Sequence, residues 1–186
     1  MLNPRLAGRY AKSLIDLAKE KNALEEVYKD MLYLKEVIRN NEFVALLRSP
    51  VIKADKKIKI LEAVTKGKVS QFTAAFNKLL IEKARESSLP EIITSFIDQY
   101  KKHKEIYPVK LTTATAVSNE VKEQIVEKVK QQTGLKNIEL IETVDDGIIG
   151  GFKLELGDTL IDATISYDLN KVKTQFLDNE FIYKIR

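Results

Sequence analysis

The sequence has no cysteine and a single histidine, His103. Disulfides and thiolate metal sites are excluded, and a conventional zinc site has too few ligands. No run approaches the roughly 18 to 20 apolar residues that cross a bilayer. The N-terminus lacks the continuous apolar stretch of a secretory signal. These absences predict a soluble, uncleaved chain in a reducing compartment. Neither Gly-x-x-x-x-Gly-Lys-Ser/Thr nor Gly-x-Gly-x-x-Gly occurs, so a nucleotide site of either kind has no support. No cofactor and no metal are expected.

What is present is enough chain, 186 residues, for one large domain or two small ones with a core that needs no staples. The net charge of +4 is unevenly spread: residues 1–105 carry 21 basic and 14 acidic side chains, residues 106–186 carry 10 and 13. Such polarity suits partners of opposite charge for the two halves, and it equally serves solubility.

The first half reads as helices. From about Asn3 to Lys21, Leu6, Tyr10, Leu14 and Leu17 recur at steps of four and three, beside a row of Ala7, Ala11, Ile15 and Ala18. The small alanines allow another helix to come close. Asn22 with Glu25 resembles a capping box opening a second helix that carries Leu24, Val27, Met31 and Leu34. Asn40-Asn41 can cap a short third helix, which Ser49-Pro50 ends. A fourth spans about Lys53 to Thr65 with Ile58, Leu61 and Val64 inward; its Lys53, Lys56, Lys57 and Lys59 read as a solvated face. Ser70 can cap a fifth helix with Phe72, Ala75, Phe76, Leu79, Leu80 and Lys83 along one side. Leu89-Pro90 opens a sixth.

The charged run Lys101-Lys102-His103-Lys104-Glu105 marks a boundary. Beyond it, alternation from Tyr107 to Thr115 predicts a strand, Ser118 to Gly134 a helix, and Ile138 to about Val144 another strand. Phe152, Leu154 and Leu156 alternate with Lys153 and Glu155, Gly157-Asp158 makes a turn, and Leu160 to Ile165 returns with one apolar face. Gly150-Gly151 predicts a bend where another backbone passes closely. Leu169, Val172, Phe176 and Leu177 suit a terminal helix starting near Asp168. The fold class is therefore α+β: a six-helix bundle over residues 1–105, then a small mixed α/β domain over residues 106–186.

Catalytic constellations are scarce. His103 lies in a lysine-rich run, the context of a solvated helix end rather than a general base. Asp158 and Asp162 could be paired carboxylates of a small hydrolase or a cation site, but no third ligand or nucleophile is near in sequence. Asp145-Asp146-Gly147 reads as a turn. The basic half leaves open a nucleic-acid-binding adaptor, although its lysine cluster has no arginine or interleaved aromatic. What remains is interaction surface, where an apolar helix groove takes anchors from another amphipathic helix.

Two stretches carry a family resemblance. The run Gly150-Gly151-Phe152-x-Leu154-x-x-Gly157-Asp158-x-Leu160-Ile161-Asp162-Ala163-x-Ile165, with Leu169 following, resembles the C-terminal signature of the delta subunit family of rotary ATP synthases, which includes the oligomycin-sensitivity-conferring protein. The opening Arg9-Tyr10-Ala11-Lys12-Ser13-Leu14 is similar to that family's start, with Ser13 where alanine is usual. The resemblance implies a non-catalytic stator subunit, peripheral on the cytoplasmic face of a bacterial inner membrane. It implies that the helical bundle receives the N-terminal helix of an alpha subunit between its first and fifth helices. The residues there would be Tyr10, Ala11, Leu14, Phe72, Phe76, Leu79 and Leu80. It implies that the second domain, with Gly150, Gly151, Phe152, Gly157, Asp158, Ile161 and Asp162, holds the b subunit or subunits of the peripheral stalk. Neither a nucleic acid nor a membrane span belongs to that reading.

Overall fold

A computed structural model describes residues 4–177. The expected start of the first helix at Asn3 and the end of the second domain lie outside the described residues. The chain divides into two compact units between His103 and Lys104, within the charged run.

The first unit comprises α1 (Pro4–Glu20), α2 (Leu24–Val37), α3 (Asn41–Arg48), α4 (Ala54–Thr65), α5 (Gln71–Glu82), a 3-10 turn (Glu86–Ser88) and α6 (Leu89–His103). Helix α1 lies closely on α6 because its inner row is small: Ala7, Ala11 and Ala18 are buried beside Leu14 and Ile15. Gln99 of α6 donates its amide to the Gly8 carbonyl at 3.0 Å. Helix α6 supplies Ile92, Ile93, Phe96 and Ile97, and α2 supplies Val27, Met31 and Leu34. The Tyr28 and Tyr100 rings stack at 3.8 Å, and the Tyr100 hydroxyl donates to Glu25 at 2.6 Å.

Helix boundaries follow local chemistry, with one correction. Asn40 caps α3 by accepting from the Glu42 and Phe43 N–H groups, and Ser70 caps α5 by accepting from Thr73 N–H. Asn22 does not cap α2. It sits at φ 52°, and its N–H donates to Lys19 while that of Ala23 donates to Ala18. Asparagine tolerates the left-handed region, so here it closes α1 instead.

The lysine-rich start of α4 is also corrected. Lys57 is buried, and its ammonium donates to Glu86 at 2.6 Å and to the Leu47 carbonyl at 2.8 Å. A buried ammonium needs such partners. Thus Lys57 ties α4 to the end of α3 and to the 3-10 turn.

The second unit is a four-stranded sheet of β1 (Ile106–Thr113), β2 (Asn137–Val144), β3 (Gly151–Leu156) and β4 (Thr159–Thr164) in the order β2-β1-β3-β4. Strands β1 and β2 are parallel, joined through α7 (Asn119–Thr133), and the other two pairings are antiparallel. The alternation seen in the sequence places Val109, Leu111 and Leu154 against Val129 of α7, with Ile125, Ile138, Leu140, Phe152 and Leu156 around them. Lys122 donates to Glu142 at 2.6 Å and Val117 N–H donates to it at 2.9 Å, holding α7 to β2. Those bonds, the lysine's first, keep the Glu142 carboxyl below its ordinary range.

The last element, α8 (Ile165–Leu177), begins three residues before the expected Asp168. Ile165 continues the strand alternation in sequence, but Thr164 stops the strand by capping the helix, its hydroxyl accepting from Tyr167 N–H at 3.2 Å. No helix of the described residues is long and apolar enough to cross a membrane.

Candidate functional site

In the first unit, the predicted groove residues fall into two sets. Ala11, Leu14 and Leu80 are at most 1% exposed and belong to the core. Tyr10, Phe72 and Phe76 are half-buried, and Leu79 is 43% exposed. Helix α5 divides the residues expected along one side: Leu80 faces inward with Thr73, Asn77 and Ile81, and Phe72, Phe76 and Leu79 face outward. The cause is Asp30 of α2. Its Oδ2 accepts from Ser70 N–H at 2.9 Å and from the Ser70 and Thr73 hydroxyls at 2.6 Å each. A buried carboxylate needs donors, so the polar side of α5 goes inward and its aromatic side goes out.

The outward side of α5 meets the outward side of α1. Tyr10 and Phe76 pack edge to face with centroids 6.4 Å apart. Half-buried Leu6 and exposed Leu17 extend the apolar line along α1. Leu6 and Leu17 stand four and seven residues from Tyr10, the spacing of one helix face. Helices α1 and α5 otherwise pack mainly on α6 and α4 respectively. The result is a partly exposed apolar surface shared by α1 and α5 with an aromatic pair in it.

In the second unit, the signature residues build the β3–β4 hairpin and the start of α8. Gly151 has φ 81°; a Cβ there would overlap the Ala163 carbonyl oxygen and stand 2.9 Å from the Thr164 Cα. Gly150 is similarly close to Ile165, where a Cβ would be 2.7 Å from Cδ1. Gly157, at φ 56°, makes the turn beside exposed Asp158. Phe152 packs at the margin of the sheet core. Asp162 Oδ1 accepts from Thr164 N–H at 3.0 Å and from its hydroxyl at 2.7 Å. The side-chain bond, then the backbone bond, lowers the Asp162 pKa. Asp162 therefore orients the residue that caps α8, a structural role for its Oδ1.

Unlike Phe152, Leu154 and Leu156 of β3, the large apolar residues of β4 are not part of the sheet core. Ile161, on the expected apolar face, and Leu160, on the opposite one, are both exposed on edge strand β4. Along α8, Ile165, Leu169, Val172 and Phe176 are 47%, 59%, 47% and 73% exposed. Helix α8 makes its contacts within the unit chiefly to β4 and contributes no buried residue among those described. Four large apolar side chains left in water on one helix mark an interaction surface.

The remaining candidates resolve simply. His103 is exposed at the last residue of α6. Asp145 and Gly147 form the expected turn, the Gly147 N–H donating to the Asp145 carboxylate at 3.0 Å. With Lys57 buried, Lys53, Lys56 and Lys59 are what is exposed of the basic cluster. Among the described residues no cluster of three or more potential metal ligands occurs.

An uncovered apolar surface on each of two units is the build of an interaction protein. The family described as ATP synthase delta (OSCP) subunit matches residues 6–176. The ATP synthase subunit delta of Cytophaga hutchinsonii is 38% identical over 184 residues, covering 98% of this chain and all of that protein. That of Christiangramia forsetii is 33% identical over 193 residues, covering both chains fully. A chain in a cryo-EM structure of the Toxoplasma gondii mitochondrial ATP synthase hexamer has the same fold, with a TM-score of 0.69 over 92% of this chain and 97% of that chain, at 23% identity. The chain belongs to the ATP synthase delta (OSCP) subunit family. It is a non-catalytic stator subunit that links the catalytic head to the peripheral stalk.

Proposed function

We propose that the two apolar surfaces divide this linking role between the units. The first unit, acting as a six-helix bundle, receives the N-terminal helix of an alpha subunit along Tyr10, Phe76, Phe72 and Leu79. Its edge-to-face ring pair and flanking leucines match the anchors of an amphipathic helix at i, i+3, i+4 and i+7. Ala11, Leu14 and Leu80 support this surface from beneath, since they are buried. The second unit holds the b subunit or subunits through α8 and the β4 edge.

The observation that carries the second assignment is the spacing along α8. Ile165, Leu169, Val172 and Phe176 follow steps of four, three and four, the seam of a coiled coil, and all four are exposed. A helical stalk supplies the missing half of such a seam. Both contacts transmit torque without chemistry: they keep the head from turning with the central shaft. Deep apolar contact suits repeated loading better than exposed ion pairs, each worth about 1 kcal/mol or less. The working location is peripheral, on the cytoplasmic face of a bacterial inner membrane.

Calorimetric titration of the full chain with a peptide of the alpha-subunit N-terminus from the same organism tests the first contact. One-to-one binding is expected; a folded chain that ignores the peptide removes the head contact from α1 and α5. Co-purification with the C-terminal part of the b subunit tests the second, and Leu169→Asp with Val172→Asp should abolish it. Retained co-purification would take the stalk off α8.

A further inference from the structure

Strand β2 forms one edge of the sheet, and among the described residues no further strand pairs with its outer side. Its sequence, Asn137-Ile138-Glu139-Leu140-Ile141-Glu142-Thr143-Val144, has no proline and no lysine. Those are the residues that commonly blunt a sheet edge. The strand is also long, eight residues against six in β4, and Ile141 and Val144 are exposed on it. Its outer backbone groups are a template for another strand.

Helix α7 flanks this edge. Between α7 and β2 lies an open depression of about 450 Å³. Val126 of α7 and Leu140 of β2, both half-buried, are its apolar lining. Lys122 and Glu142 line it too and neutralise each other at 2.6 Å. The remaining charges there are Glu123, Glu127 and Lys130, all exposed on α7 and in no ion pair among the described residues. The uncompensated charge beside the apolar lining is therefore net negative. Glu123 and Glu127 are four residues apart on the helix, about 6 Å along its axis. Residues on one side of a strand repeat every about 6.7 Å. The two spacings match closely enough for a strand on β2 to keep step with the α7 wall.

We propose that the β2 edge and the α7 wall form a strand-addition site on the second unit. It fits an extended partner segment that carries an aliphatic side chain and, two residues away, a lysine or arginine. Backbone bonding to β2 supplies the affinity, and the aliphatic side chain fills the depression. The basic side chain selects the segment by meeting Glu123 or Glu127. A helical guest would leave the β2 edge unpaired. A second copy of this chain, paired edge to edge, would set two such carboxylate pairs against each other, so charge disfavours it. The site is separate from the α8 seam and does not depend on the stalk assignment.

The test uses the full chain and the peptide acetyl-Ser-Lys-Thr-Val-Thr-Lys-Ser-amide, whose lysines and valine share one side. With millimolar peptide, hydrogen exchange should show protection of alternate amides over Asn137–Val144. Methylating the peptide's backbone nitrogens at the lysines and valine, or at the threonines, should abolish binding in one case and spare it in the other. Only alternate groups of an added strand face the edge. The variant Glu123→Lys/Glu127→Lys changes exposed residues and should keep the wild-type melting curve. It should bind the peptide roughly tenfold more weakly and prefer a counterpart with glutamates for lysines. Leu169→Asp with Val172→Asp should leave peptide binding unchanged, whatever it does to the stalk contact. No protection of β2 would overturn the inference. Binding that tolerates both methylation patterns would reduce it to a charge contact with α7 and overturn strand addition. A chain that sediments as a dimer dissolved by Ile141→Lys would give the edge to a second copy and overturn it as well.

Discussion

Asp30 holds Ser70 twice, through the backbone N–H at 2.9 Å and the hydroxyl at 2.6 Å, although the two residues are forty positions apart. The same carboxylate oxygen takes the Thr73 hydroxyl. One side chain of α2 thus fixes both the start and the rotation of α5. Asp30→Ala leaves three buried or half-buried donors without their acceptor. Hydrogen bonds to a charged group are worth about 1.5–3 kcal/mol each, so losing three predicts a loss of about 4.5 kcal/mol or more. Urea unfolding measures it, and Asp30→Asn, which keeps an acceptor oxygen, should lose less. The alpha-subunit peptide should also bind Asp30→Ala more weakly in conditions where the chain stays folded. Wild-type stability in Asp30→Ala would show that α5 is set by apolar packing alone.

Lys57 and Glu86 form a second buried pair, with side chains 5% and 14% exposed. Removing one member of such a pair strands the other charge, at a cost of about 3–5 kcal/mol. Lys57→Met should therefore be strongly destabilising. The double variant Lys57→Met/Glu86→Leu should recover most of the loss, because matched apolar replacement of a buried pair is often neutral. A denaturation series of both variants decides it: a double variant as unstable as the single one would mean that the Lys57 bond to the Leu47 carbonyl is the larger contribution.

The contrast between Lys57 and its neighbours shows what the sequence conceals. Lys53, Lys56, Lys57 and Lys59 look alike in a row, and only the fold shows that the third has a buried carboxylate to meet. The α1 stripe, the Ser70 and Asn40 caps and the Gly157 turn were legible because each depends on residues within one or two turns. The rotation of α5 was not, since it depends on Asp30, far away in the chain. Apolar periodicity alone put Leu80 with Phe76 on one side; the structure separates them, one into the core and one to the surface shared with α1. Likewise Ile165 fits the β4 alternation, and only the Asp162–Thr164–Tyr167 chain of bonds ends the strand there. Of the candidate site, the apolar character of Tyr10, Phe72 and Phe76 is legible from spacing, whereas their place in a groove comes only through the family resemblance.

Tyr100 provides a pH signature. Burial, then its hydrogen bond to Glu25, pushes the phenol well above its ordinary pKa. An acid whose folded pKa is raised stabilises fully below its unfolded value and loses that contribution as pH rises towards the folded value. Stability should hold up to about pH 10, the ordinary phenol value, and fall above it. Tyr100→Phe keeps the stacked ring and removes the ionisation, so its alkaline decline should be shallower. Parallel alkaline melting curves for the two proteins would mean that other groups govern the loss.

Asp162 works in the opposite direction. Its pKa is lowered by the Thr164 hydroxyl and N–H, so its contribution exists above the ordinary carboxylate range and is lost as pH falls through the folded value. The region it supports is the cap of α8. Asp162→Asn should remove part of the acid sensitivity of α8 order and weaken b-subunit capture at neutral pH, with little effect on the alpha-subunit peptide. Hydrogen exchange over Ile165–Leu177 reads the first effect and co-purification the second. Protection of α8 that is the same in both proteins from neutral to acid pH would leave Asp162 without this role.

Phe76 separates recognition from folding. It is half-buried against Tyr10, while neighbouring Leu80 is in the core. Phe76→Asp should leave the unfolding curve nearly unchanged, since the aspartate can stay in water in the free chain. Bound, the carboxylate would be buried beneath a helix without a partner, which costs about 2–4 kcal/mol of affinity for the alpha-subunit peptide. Leu80→Asp should do the reverse and collapse the fold before any binding can be measured. The two residues are four apart on α5, so the comparison tests its rotation as well as its role. If Phe76→Asp binds like the wild type with its fold intact, the α1–α5 surface is not where the alpha subunit docks. If instead it unfolds and Leu80→Asp survives, α5 faces the other way.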